Sequence, residues 1–98
     1  MPGKTIGVKN DQDKPMLELI PPSLIFAVGD VLTYGAKKYA PNNWKLVDNA
    51  IERYKGALLR HLFAYLDGEW LDSESGLPHL HHVAANVAFL IELERRDK

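Results

Sequence analysis

The sequence predicts an all-α fold, a small bundle of three main helices behind an extended N-terminal strap. Two observations carry this expectation. Three segments place apolar residues at helical spacing, and the connections between them are short. The last segment contains the run "VAANVAFLI", which is apolar on nearly every face except Asn86. A helix of that kind belongs at the buried centre of a fold or of an oligomer, so self-association is expected as well.

Residues 1–13, "MPGKTIGVKNDQD", are polar with two glycines and no sustained period, and read as an N-terminal arm. The domain proper is expected over 14–98. "KPMLELIPPS" brings Leu17, Leu19 and Ile20 before a Pro pair, which reads as an extended strap, because proline disfavours helix in the residue before it. A first helix is predicted over about Ser23 to Tyr34, with Leu24, Val28 and Val31 in register and Gly35 ending or bending it. "GAKKYAPNNWK" reads as a loop rich in turn residues. A second helix is predicted from an Asp48 N-cap to about Asp67, where Gly68 closes it. Its stripe Ile51, Tyr54, Leu58, His61, Tyr65 keeps one face. The third helix is predicted over about Leu77 to Arg95.

Composition excludes several functions. A formal charge of −1 provides no field for long nucleic acid, while leaving room for a small anion held by local cations. With no Cys, disulfides and thiolate zinc sites are ruled out. The sequence carries no apolar run of about 18 residues and nothing like a signal peptide, so no membrane association and a cytoplasmic location are expected.

The chemistry concentrates in "EWLDSESGLPHLHH", residues 69–82. On the third helix His79, His82, Asn86, Phe89 and Leu93 form one stripe, polar in its first half. His61 adds an imidazole from the neighbouring helix, whereas His81 falls on another stripe with Ala85 and Ala88. These groups can wall a ligand pocket or form a polar network that bridges helices. Glu69, Asp72 and Glu74, with a His, are candidate ligands for Mg²⁺ or Mn²⁺. Equally, they can accept hydrogen bonds from ribose or base, or simply be solvated. Ser75 and Gly76 suggest a tight turn with free backbone amides at the start of the third helix, a setting that suits an anion. Lys37, Lys38, Tyr39, Asn43, Trp44, Arg53 and Arg60 interleave cations with aromatics, as a phosphorylated ligand with a stackable base requires. For any one of them, packing or solvation is the competing explanation.

"LTYGAKKYAPNNW", "LLRHLFAYLDGEWLDSESGLPHLHHVAANVAFLIEL" and "KPMLELIPP" resemble small phage-encoded proteins named after the N-terminal domain of a phage dATP/dGTP diphosphohydrolase. That family is loosely grouped with MazG-type all-α nucleotide pyrophosphohydrolases. The resemblance runs from Lys14 to Leu93. It implies a nucleotide ligand and roles for Lys37, Lys38, Asn43, Trp44, His61, Glu69, Asp72, Ser75, Gly76, His79, His82 and Asn86. One departure matters. MazG-type enzymes set E-x-x-E on one helix and E-x-x-D on the next to hold Mg²⁺. Here the second helix offers only Glu52, and Glu92 and Glu94 lie at the far end of the third helix from the histidines.

The leading expectation is therefore a protein that holds or sequesters a small phosphorylated nucleotide, a class that includes defence signalling nucleotides. A metal-dependent (d)NTP pyrophosphohydrolase comes second, with catalytic residues unassigned. A structural protein with a buried polar network comes third. If imidazoles meet phosphate, binding should strengthen as pH falls toward 6.

Overall fold

A computed structural model describes residues 13–95. The predicted N-terminal arm lies almost wholly outside the described residues. Three 17-residue helices follow, α1 (Pro22–Lys38), α2 (Ala50–Leu66) and α3 (His79–Arg95). This is the small all-α bundle the sequence predicts.

The segment expected as an extended strap contains a 3₁₀ turn at Leu17–Leu19 before it straightens at Ile20. Helix α1 starts one residue earlier than predicted, with Pro22 in the first turn, where its missing N–H removes no intrahelical bond. The helix also runs four residues further, to Lys38, through Gly29 and Gly35. Neither glycine takes a positive φ, and burial of Ala27 and Val31 against α3 outweighs their poor helix propensity. Lys37 and Lys38 thus belong to the last turn of α1 and not to the loop. The remainder of the predicted loop folds into a second 3₁₀ turn, Asn43–Leu46, after Asn42 in the left-handed region at φ 66°.

Helix α2 is capped by Asn49 and not by Asp48. Asn49 sits at φ 55°, a left-handed conformation that Asn tolerates better than most residues, and its side chain makes no capping bond. At the other end Gly68, at φ 95°, completes a Schellman motif: its N–H donates to the Tyr65 carbonyl and the Glu69 N–H to the Ala64 carbonyl. The chain then turns back through a tight loop. The Asp72 N–H donates to the Leu77 carbonyl and the His79 N–H to the Trp70 carbonyl, with a bridge between Leu71 and Pro78. These bonds delay the start of α3 from Leu77 to His79.

Helix α3 is the centre of the fold. Both α1 and α2 pack on it and not on each other, which leaves a cleft between them floored by α3. Val31, Ala85 and Phe89 form the core, with Val28, Trp44, Tyr54 and Leu77 against them. Phe89 stacks on Trp44 with centroids 4.5 Å apart, and Tyr54 tilts on it at 4.9 Å. The all-round apolar character of α3 is only partly used: Val87 and Ile91, roughly opposite Phe89 on the helix, are exposed. Among the described residues no helix is long and apolar enough to cross a membrane.

Candidate functional site

The cleft forms a groove of about 1070 Å³. Helix α1 supplies Tyr34, Lys37 and Lys38 and the following loop Tyr39, Asn43 and Trp44; α2 supplies Glu52, Arg53, Arg60 and His61, and α3 supplies His82, Asn86 and Phe89. A second cavity of about 320 Å³ opens beside it. Tyr34, Arg60, His61 and His82 line both, joined in the smaller one by Asp72, Glu74 and His79. The helical period explains the shared wall: His61 faces inward on α2 with Tyr54, Leu58 and Tyr65, while His79, His82 and Asn86 share the inner face of α3.

Three histidines meet at the smaller cavity. His61 Nδ1 and His79 Nδ1 share a hydrogen bond of 2.8 Å, and the His61 ring stacks on His82 at 4.3 Å and 9°. His79, only 5% exposed, bonds through Nε2 to the Glu69 carboxylate at 3.1 Å. Because an ionised carboxylate only accepts, the His79 proton sits on Nε2 and the Nδ1 lone pair faces His61. His82 Nε2 is bonded to the Ser75 hydroxyl at 2.7 Å, and that same oxygen accepts the Leu77 N–H. The buried Asn86 amide donates to the His82 carbonyl one turn back. Burial, first of all, lowers the pKa of both His61 and His82. Both are thus neutral near pH 7, and the gain of charge expected toward pH 6 moves to lower pH.

The acids of the loop separate into different roles. Burial alone would raise Asp72, but the Ser75 backbone and side-chain hydrogen bonds outweigh it and hold its carboxyl below the ordinary value. The Ser75 N–H donates to Asp72 Oδ2 at 2.8 Å. Glu74 instead pairs with Lys38 across the cleft, which lowers Glu74 and raises Lys38, and the Tyr34 hydroxyl reaches it at 3.4 Å. Glu69 stands behind His79. One ligand atom each from His61, Asp72 and His79 lies within 4.8 Å of the other two; Glu69 and Glu74 are outside that group.

The amides expected to be free at Ser75 and Gly76 are consumed. The Ser75 and Leu77 N–H groups bond to side chains of the loop, and the Gly76 N–H donates to the Asp72 carbonyl. Gly76, at φ 75°, is what lets the loop close in this way.

Trp44 is committed to packing. One ring face covers Phe89, and its carbonyl accepts the Tyr54 hydroxyl at 2.7 Å. Tyr39, 63% exposed, keeps its ring available at the rim, with the Lys38 ammonium 5.3 Å from its centre. His81 faces α1, its Nδ1 buried 3.8 Å from Asp30 without a hydrogen bond. Sequence reasoning did not single out Tyr34. Its position three residues beyond Val31 on α1 was the available signal.

The chain matches the family described as dATP/dGTP diphosphohydrolase, N-terminal, over residues 4–98. It is similar to the dATP/dGTP diphosphohydrolase of Salmonella phage PMBT28, at 37% identity over 87 residues. That alignment covers 89% of this chain and 29% of the relative, so the chain spans less than a third of the relative's length. No solved structure matches the chain.

Proposed function

The chain belongs to the dATP/dGTP diphosphohydrolase N-terminal family, and from that premise we propose that it binds a purine deoxynucleoside triphosphate in the groove and takes part in releasing its pyrophosphate. One observation carries the reading: the aromatic and basic groove adjoins the polar cavity, with Tyr34, Arg60, His61 and His82 in the lining of both. A nucleotide needs both environments in that order. Tyr39 offers a face for the base, and Lys37, Arg53 and Arg60 neutralise phosphate charge along the wall.

At the inner end, the chemistry is set by protonation. The neutral imidazole of His82 can accept a proton from water or a hydrogen bond from the ligand, and the Ser75 hydroxyl, in the loop that Asp72 anchors, orients it. Glu69 fixes the His79 ring and its tautomer. A bound Mg²⁺ or Mn²⁺ would neutralise charge on the phosphates during cleavage.

A second reading, that the domain holds the nucleotide and cleavage belongs elsewhere in a longer protein, is favoured by the single carboxylate, Asp72, that joins the histidine group. Product analysis separates the two. Incubation with dATP or dGTP and Mn²⁺ should give monophosphate and pyrophosphate. Recovery of intact nucleotide from a saturable complex supports holding alone, and absence of any binding below about 1 mM refutes both readings.

A further inference from the structure

We propose that His61, Asp72 and His79 bind a divalent first-row transition cation such as Mn²⁺, with Glu69 positioning His79 from behind. The inference rests on the nucleotide reading for its purpose only; the site is argued from its own geometry.

The three donors come from α2, the tight loop and α3, and converge within 4.8 Å of one another. His79 presents Nδ1 because its Nε2 is tied to Glu69, the arrangement that ligating histidines adopt when a carboxylate backs the ring. The two Nδ1 atoms stand 2.8 Å apart. Neighbouring ligands of an octahedral cation with bonds of about 2.1 Å are separated by about 3.0 Å, so little movement is needed. In the metal-free protein the His61 Nδ1–H donates to His79 Nδ1; with a cation bound, that proton would move through solvent to His61 Nε2, which leaves both Nδ1 lone pairs facing the metal. Asp72 is held ionised by the loop, and the cavity beside it has room for the waters that complete the coordination sphere. Around the site stand the carboxylates of Glu69, Asp72 and Glu74 against the cations of Lys38 and Arg60, a balance that favours an added positive ion. Two imidazoles and one carboxylate form a softer set than the all-oxygen shell Mg²⁺ prefers, which directs the site toward transition metals.

The competing account is a closed hydrogen-bond network that specifies helix packing and binds nothing. Titration of Mn²⁺ into the nucleotide-free full chain, followed by loss of the free-ion electron paramagnetic resonance signal, decides between them. One Mn²⁺ per chain is expected, retained in excess Mg²⁺. Asp72→Asn should abolish binding and Glu69→Gln should weaken it about 10- to 100-fold, both with unchanged helical circular dichroism. The inference is overturned if the wild-type chain leaves Mn²⁺ free at about 1 mM, or if a folded Asp72→Asn chain binds it as wild type does. Nucleotide affinity measured in chelator reports on the groove alone. Mn²⁺ binding lost with nucleotide binding kept refutes the metal site only, and the reverse result refutes the groove only.

Discussion

Removing the Arg60 guanidinium should weaken nucleotide binding sharply while leaving the fold intact. Arg60 lines both the groove and the inner cavity. It has no acidic partner within ion-pair distance among the described residues, and its guanidinium lies over Gly56, where an added Cβ would meet Nη1 at 3.2 Å. No internal bond must therefore break before it meets phosphate. A charge-assisted contact of this kind contributes about 1.5–3 kcal/mol. At about 1.4 kcal/mol per tenfold, Arg60→Ala should raise Kd by roughly 10- to 150-fold. Arg and Ala are both good helix formers and the position is exposed, so stability should change by less than about 0.5 kcal/mol. The assay is calorimetric titration of a non-hydrolysable dGTP analogue, with a melting curve for each protein. Arg60→Lys should recover part of the loss, since a point charge replaces a bidentate fork. Affinity within twofold of wild type would refute the reasoning, as would a melting temperature lower by more than about 10 °C, which would make Arg60 structural.

Other perturbations probe the loop, the core and the buried rings. Glu74→Gln frees the Lys38 ammonium and removes a negative charge from the cavity wall, so binding of the same analogue should tighten, read by the same titration. Phe89→Ala removes the 8%-exposed ring on which Trp44 and Tyr54 rest; a loss of about 3–5 kcal/mol in urea unfolding is expected, a large share of the stability of so small a domain. In chelator, stability should fall with acidification. Burial lowers His61 and His82 in the folded state, so the unfolded chain binds protons more readily; the contribution is complete above the unfolded value near 6.5 and is lost as pH falls through the folded values. Asp72 acts in a lower window, below about pH 4. Urea midpoints at pH 8, 6 and 5 that do not decline would contradict the assigned burial of the two rings.

Helical period made the histidine wall legible in the sequence. Steps of three and four align His79, His82 and Asn86 on α3 and set His61 on the inner face of α2, and the structure keeps both alignments. Helix ends were less legible because they depend on competition between a local signal and packing. Gly29 and Gly35 suggest a weak, short α1, yet Ala27 and Val31 pack well enough to carry the helix to Lys38. Asp48 reads as the cap in the sequence, but Asn49 takes the position because the backbone there is left-handed, which Asn tolerates. The fate of each loop acid was not legible at all. Glu69, Asp72 and Glu74 lie within six positions, but one partners an imidazole on α3, one its own loop, and one a lysine 36 residues away. Likewise nothing near Trp44 in the chain announces Phe89 as its stacking partner.

The central claim is that one nucleotide spans the groove from the Trp44–Tyr39 rim to the histidine cavity. Proton–nitrogen correlation spectra of the side chains, recorded while a non-hydrolysable dGTP analogue is added, observe both ends at once. The Trp44 indole and the His61 and His82 imidazoles should shift together along one saturation curve, with the Trp70 indole still. Saturable shifts confined to one end, or none in any of the three rings, would contradict that claim.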